Sequence, residues 1–168
     1  MPFGSVGNTT CSVYSDKKLE GKFMAKNIER FDTSVLFILE YLYDQFPKKN
    51  SFDSMIISKE KFDLIYGKGK LAPDGSLGFL NVLAETIVWL SDEGYIRYLS
   101  HKSPHQFNGV VLSEKGLNLL RKPSSINKAK AWIDVCKEEF RKGTKAGIQQ
   151  VGKELFKKSI TKMFLSDD

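Results

Sequence analysis

The chain has little cysteine. Cys11 and Cys136 are the only two in 168 residues, too few for a disulfide framework, and they point to a reducing, cytosolic setting. Long apolar runs are missing too: no window approaches the roughly 18 uncharged apolar residues of a spanning helix. No apolar core follows the first basic residues, so no secretory signal is expected. Nor is there the bias of a disordered chain. With 41% hydrophobic, 12% aromatic and 27% charged residues, the profile is that of one globular domain, or one domain with an appendage.

Catalytic constellations are lacking as well. His101 and His105 stand on a loop with Pro104 rather than on one helical face, and no Cys, Asp or Glu lies at ligand spacing beside them, so no metal site is expected. Gly67-Lys68-Gly69-Lys70 departs in order and spacing from the glycine–lysine signature of a phosphate loop. Cys136 has no adjacent base to activate it and reads as a core thiol. Glu138-Glu139 and Asp167-Asp168 are neighbours in sequence only, and are expected to be surface charges. The sequence thus predicts neither an enzyme nor a cofactor.

What the chain does have is positive charge in one place. The net charge is +6. Residues 1–100 hold 12 Lys/Arg against 13 Asp/Glu, whereas residues 101–165 hold 14 against 5. Such a cluster attracts polyanions, nucleic acid or anionic lipid; the plainer alternative is a solvated, lysine-rich helix face.

Residues 1–23 are rich in Gly, Ser, Thr and Asn, and residues 1–26 are expected to form a flexible N-terminal segment. Met24-Ala25-Lys26-Asn27 resembles an ordinary protein start. Asp32 is a suitable N-cap for a helix over about 33–46, with Val35, Leu36, Leu39, Leu42, Tyr43 and Phe46 as its apolar stripe and Pro47 as its stop. Residues 48–54 read as a polar loop, Ile56-Ile57 as a short strand or core plug, and about 58–66 as a short helix capped by Ser58. The longest helix of the domain follows at about 76–92, with Leu77, Leu80, Leu83, Ala84, Ile87 and Leu90 on one face and Gly94 in the C′ place. Residues 95–99 read as a strand, 100–109 as a polar tip with Pro104 and the turn signal Asn108-Gly109, and Val110-Val111-Leu112 as the returning strand. Ser113 caps a further helix that Pro123 stops.

The stretch Trp89-Leu90-Ser91-Asp92-Glu93-Gly94-Tyr95-Ile96, a hairpin, and then Val111-Leu112-Ser113-Glu114-Lys115-Gly116 resembles winged-helix domains. In those the long helix runs into glutamate-glycine-hydrophobic-isoleucine, and the second wing strand runs into leucine, serine or threonine, two residues and glycine. The chain is also similar to small bacterial winged-helix proteins of the YjcQ type. The resemblance implies a mainly α fold with a small β-hairpin: a winged helix-turn-helix domain over 27–123 and a C-terminal helical extension over 124–168.

It also implies that helix 76–92 would lie in the major groove of duplex DNA. Only Ser76, Asn81 and Thr86 there suit base contact; the helix holds no basic residue, and Glu85, Asp92 and Glu93 repel phosphate. Phosphate contacts are expected instead from Lys59, Lys61, Lys68 and Lys70 around the preceding turn, and from Arg97 and Lys102 on the hairpin. A small DNA-binding transcriptional regulator is the leading expectation. Its rival is a winged helix serving as a protein-contact or dimerisation module, with Phe79, Val82, Trp89 and Trp132 as anchors. In the extension, Ser125 is expected to cap a helix carrying Ala129, Trp132, Ile133, Cys136 and Phe140 on one face, and Gly143 to break it. A last helix over about 145–164 places Ile148, Val151, Leu155 and Met163 together. These helices are expected to pack back on the domain or to form a homodimer through residues 125–164, with a frayed tail ranked second and membrane contact last.

Overall fold

A computed structural model describes the backbone of residues 14–55 and 76–165 and the side chains of residues 27–55 and 78–157. Its centre is helix α1, Tyr14–Gln45. Every residue from Thr33 to Leu39 is buried, which a helix tolerates only when surrounded on all sides. Around α1 stand α2 (Ser76–Asp92), α4 (Trp132–Lys142), α5 (Lys145–Leu165) and the sheet. The helix predicted to begin at Asp32 therefore begins at Tyr14, and Asp32 lies within it rather than capping it. Phe37 and Ile38, outside the predicted stripe, are fully buried because neighbours cover that side as well: Phe37 stacks on Phe140 of α4 at 4.9 Å and meets Phe79 of α2 edge-on at 6.5 Å. Residues 1–13, the predicted strand at Ile56-Ile57 and the predicted helix at 58–66 lie outside the described residues.

The sheet is small and antiparallel. Strand β4 (Gln106–Leu112) is its middle, with β1 (Asn50–Asp53) on one side and β2 (Ile96–Arg97) and β3 (Ser100–Ser103) on the other. The hairpin expected between residues 95 and 112 is present: Ile96 pairs with Leu112 and Arg97 with Val111, and the ladder resumes with Ser100 opposite Asn108. Its tip falls within the predicted 100–109, at Pro104 and not at the predicted turn signal. Ser103 pairs with Gln106, so the turn is Pro104-His105, and Asn108-Gly109 lies inside β4. Gly109 uses its positive φ of 68° to make an irregularity in the strand: Asn50 pairs with Val110 but Phe52 with Phe107, so the register shifts between them. The side chain of Leu99 fills the space where a Cβ at Gly109 would stand. Within the predicted polar loop at 48–54, Asn50–Asp53 form strand β1.

Helix α3 (Glu114–Arg121) starts as read. Ser113 Oγ accepts from Gly116 N–H at 3.1 Å and donates to the Gly94 carbonyl at 2.5 Å. Gly116 is required by packing, since a Cβ there would collide with the Tyr95 carbonyl oxygen. The next helix does not start at Ser125. Residues 122–131 instead form a closed loop, in which Pro123 bridges Ala131 and Trp132 N–H donates to the Lys122 carbonyl at 3.0 Å, and α4 begins at Trp132. Ala129, expected on the apolar face, is exposed in that loop. Gly143 ends α4 in the left-handed conformation, as predicted. Helix α5 then turns back along α1, burying Ile148, Val151, Leu155 and Phe156. At the crossing Gly152 sits directly on the backbone of Asp32. The large apolar residues described in the extension, Ile126 excepted, are thus packed inside the chain. No helix among the described residues is long and apolar enough to cross a membrane.

Candidate nucleic-acid interface

The hairpin is a rigid projection for identifiable reasons. Gly94 N–H donates to the Ser91 carbonyl at 2.9 Å and Tyr95 N–H to the Leu90 carbonyl at 2.8 Å, which closes α2 and aims the chain into β2. Ile96, Phe107, Val110 and Leu112 are buried on one face of the sheet. Tyr98 meets Phe107 edge-on at 5.3 Å, and the His101 ring stacks over Phe107 at 6.0 Å. The tip is tied to the residues after β1: the His105 carbonyl accepts from Ser54 N–H at 3.0 Å and from Ser54 Oγ at 2.8 Å, and Gln106 Nε2 donates to Asp53 at 3.1 Å.

Electrostatically the hairpin is one-sided. No Asp or Glu occurs between Glu93 and Glu114. Arg97, His101 and Lys102 are all exposed, and no ion pair joins Arg97 or Lys102 to another described residue. Leu99 stands beside them, 72% exposed. Arg97 on β2 and Lys102 on β3 are thus both exposed on the hairpin. Lys59, Lys61, Lys68 and Lys70 lie outside the described residues, as does the side chain of Ser76, whose backbone opens α2.

Helix α2 presents a different surface. Asn81, Glu85 and Asp92 are exposed, with Val82, Val88 and Ser91 half-buried between them. Asn81, the described residue suited to base contact, is therefore followed one turn later by a carboxylate. Thr86 is buried and donates to the Val82 carbonyl at 2.6 Å, so it reaches no ligand. Of the residues expected as partner anchors, Phe79 is 2% exposed and Trp132 6%, both within the core. Trp89 is half-buried and is held by three rings: Phe31 at 5.0 Å, Phe156 at 5.5 Å and Tyr95 at 6.4 Å. It joins α1, α2 and α5. Val82 alone of the four is half-buried without a ring contact.

The C-terminal cations divide into two groups. On and beside α4 all but exposed Arg141 are paired: Lys130 with Glu138 at 2.6 Å, Lys142 with Glu139 at 2.7 Å and Glu138 at 3.4 Å, and Lys137 with Asp44 of α1 at 2.5 Å. The hydrogen bond from Lys130, followed by that from Lys142, holds the Glu138 carboxyl below its usual range. The hydrogen bond to Asp44 raises Lys137 above the usual ammonium range. Arg121, Lys122 and Lys128 are exposed and have no ion pair with any described residue. An open cleft of about 490 Å³ runs from the hairpin to the start of α3, lined by Arg97, Tyr98, Ser113, Glu114 and Lys115 among others. Lys115 Nζ lies 4.2 Å over the Tyr95 ring and donates to the Glu93 carbonyl at 2.5 Å. Sequence reading missed Lys115, Arg121, Lys122 and Lys128 as site residues. The signal available was a stretch from Lys115 to Ile133 with five cations and no carboxylate.

Comparison with models of known protein families, with curated proteins and with solved structures finds no match to this chain.

Proposed function

We propose that the chain is a winged-helix domain that binds duplex DNA through its phosphates, with the β2–β4 hairpin as the wing and without base reading by α2. The observation that carries this reading is the hairpin itself: it is rigid, free of carboxylates, and offers Arg97 and Lys102 to solvent without partners among the described residues. The strand order, with β4 between β1 and β2, supports the winged-helix assignment. The exposed Glu85 and Asp92 argue against seating α2 in a groove lined by phosphates. Contacts of this kind position a protein on DNA without selecting sequence, which suits a small regulator or an accessory protein of transcription.

A second reading, a winged helix used as a protein-contact module, draws on the same α2 surface. Asn81, Glu85 and Asp92 around half-buried Val82 and Val88 form a face free of cations that suits a basic partner.

Fluorescence anisotropy with a labelled duplex, at about 50 and 200 mM salt, separates the two readings. Arg97→Glu/Lys102→Glu should lower the salt slope by about 1.8, at about 0.9 for each phosphate contact removed, and weaken binding at low salt at least tenfold. No binding of the wild-type chain at low salt would refute DNA binding and favour the second reading.

A further inference from the structure

We propose that the phosphate-binding surface continues from the hairpin along the exposed side of α3 into the closed loop 122–131, with Arg97, Lys115, Arg121, Lys122 and Lys128 as its cations. This extension rests on the DNA-binding reading above. Three observations build it.

Continuity comes first. Arg97 and Lys115 line the same cleft, so the hairpin and the start of α3 share one surface. Along α3, Glu114, Lys115, Asn118 and Arg121 are exposed, as is the C-cap Lys122. At about 100° per residue these five positions fall within an arc of about 120°, and Lys115 and Lys122 stand about 10 Å apart along the axis. The cations therefore form a row rather than a ring.

Rigidity comes second. Ser124 N–H donates to the Lys130 carbonyl at 2.9 Å, Ser124 Oγ accepts from Asn127 N–H at 2.8 Å, and Asn127 Oδ1 accepts from Ala129 N–H at 3.0 Å. Buried Trp132 anchors the loop's end. Binding a polyanion thus requires little ordering of this backbone.

Charge comes third. The loop itself holds no Asp or Glu, and Arg121, Lys122 and Lys128 have no ion pair among the described residues, whereas Lys130 at its far end pairs with Glu138 of α4. Glu114 is the one exposed carboxylate among the cleft residues, and the row is purely cationic beyond it. An extended row without an enclosed pocket fits a polymer of phosphates better than a single free phosphate. A membrane surface fits poorly, because Ile126, 47% exposed, is the single large apolar side chain exposed on the loop, and surface-bound segments need a broad apolar face.

The test is Arg121→Ala/Lys122→Ala/Lys128→Ala in the full chain, titrated against duplex DNA at about 50 and 200 mM salt. Loss of three contacts should lower the salt slope by about 2.7, so that the wild type loses about 40-fold more affinity than the variant over that range. Lys128→Ala alone, on the exposed loop, should lower it by about 0.9 and keeps the test open if the triple variant does not fold. If both variants keep the wild-type slope while Arg97→Glu/Lys102→Glu loses binding, the extension is wrong and the hairpin reading stands. If the wild type binds no DNA, both fall. If the triple variant loses binding only to vesicles of phosphatidylserine and phosphatidylcholine, the surface belongs to a membrane and the proposal is overturned.

Discussion

Two glycines in α5 should respond oppositely to the same substitution. A Cβ at Gly152 would collide with the carbonyl oxygen of Asp32 and stand 2.8 Å from its carbonyl carbon. Both are backbone atoms of α1 and cannot swing aside, so Gly152→Ala must push the helices apart by about 1 Å. That loosens Ile148, Val151, Leu155 and Phe156, all buried at this seam. Overpacking against backbone falls in the upper part of the usual range, about 2–3 kcal/mol, against a gain of about 1 kcal/mol from replacing glycine inside a helix. The expected net loss is about 1–2 kcal/mol, or roughly 2–8 °C in Tm for a chain of this size. At Gly147 the close atoms are Glu139 Oε2 and Thr144 Oγ1, ends of side chains that can rotate away. Gly147→Ala should therefore be neutral or raise Tm. Thermal melts followed by circular dichroism read both, and tryptophan fluorescence reports the seam, because Trp89 touches Phe156 at 5.5 Å. A Gly152→Ala protein melting at or above the wild type would mean that α5 does not cross α1 at Asp32.

The same seam carries a pH dependence. Burial, reinforced by Glu29 and opposed by Lys153, raises the Asp32 carboxyl from 3.8 to about 6. The folded state therefore prefers the protonated acid, and this contribution is complete below about 3.8 and lost as pH rises through about 6. Because the carboxyl is only half-buried, solvent screening reduces the effect to on the order of 1 kcal/mol. Asp32→Asn should be more stable than the wild type by about that amount at pH 7.5 and nearly equal to it at pH 4, read by urea denaturation; an equal difference at both pH values would contradict the assignment. Cys136 is 1% exposed, and burial pushes its thiol up to about 12. In a Cys11→Ser background it should resist thiol reagents at pH 8 until guanidinium unfolds the chain, and rapid labelling of the native protein would show that α4 opens.

Elements whose ends are marked by local chemistry were legible in the sequence. Helix α2 runs over the predicted span because Gly94 closes it, and α3 starts at Ser113 because the hydroxyl caps it and Gly116 lets the Tyr95 carbonyl approach. Elements made by distant partners were not legible. Asn50-Ser51-Phe52-Asp53 has one large apolar residue and becomes a strand because β4 offers a ladder. Asn108-Gly109 has the chemistry of a turn, but Leu99 and β1 on either side draw it into the strand. The continuous burial of Thr33 to Leu39 depends on helices more than 30 residues away in sequence. For the candidate site, the excess of positive charge was legible and its distribution was not. Lys137 is neutralised by Asp44, 93 residues away, whereas Arg121, Lys122 and Lys128 keep their charge facing solvent.

The salt dependence of wild-type binding to two duplexes of unrelated sequence tests the central claim most directly. Five or six phosphate-bound cations, from Arg97 and Lys102 to Lys128, predict log–log slopes between about −4.5 and −5.4, with the two duplexes agreeing in both slope and affinity. A flat slope, strong preference for one sequence, or no association even at about 20 mM salt would contradict it.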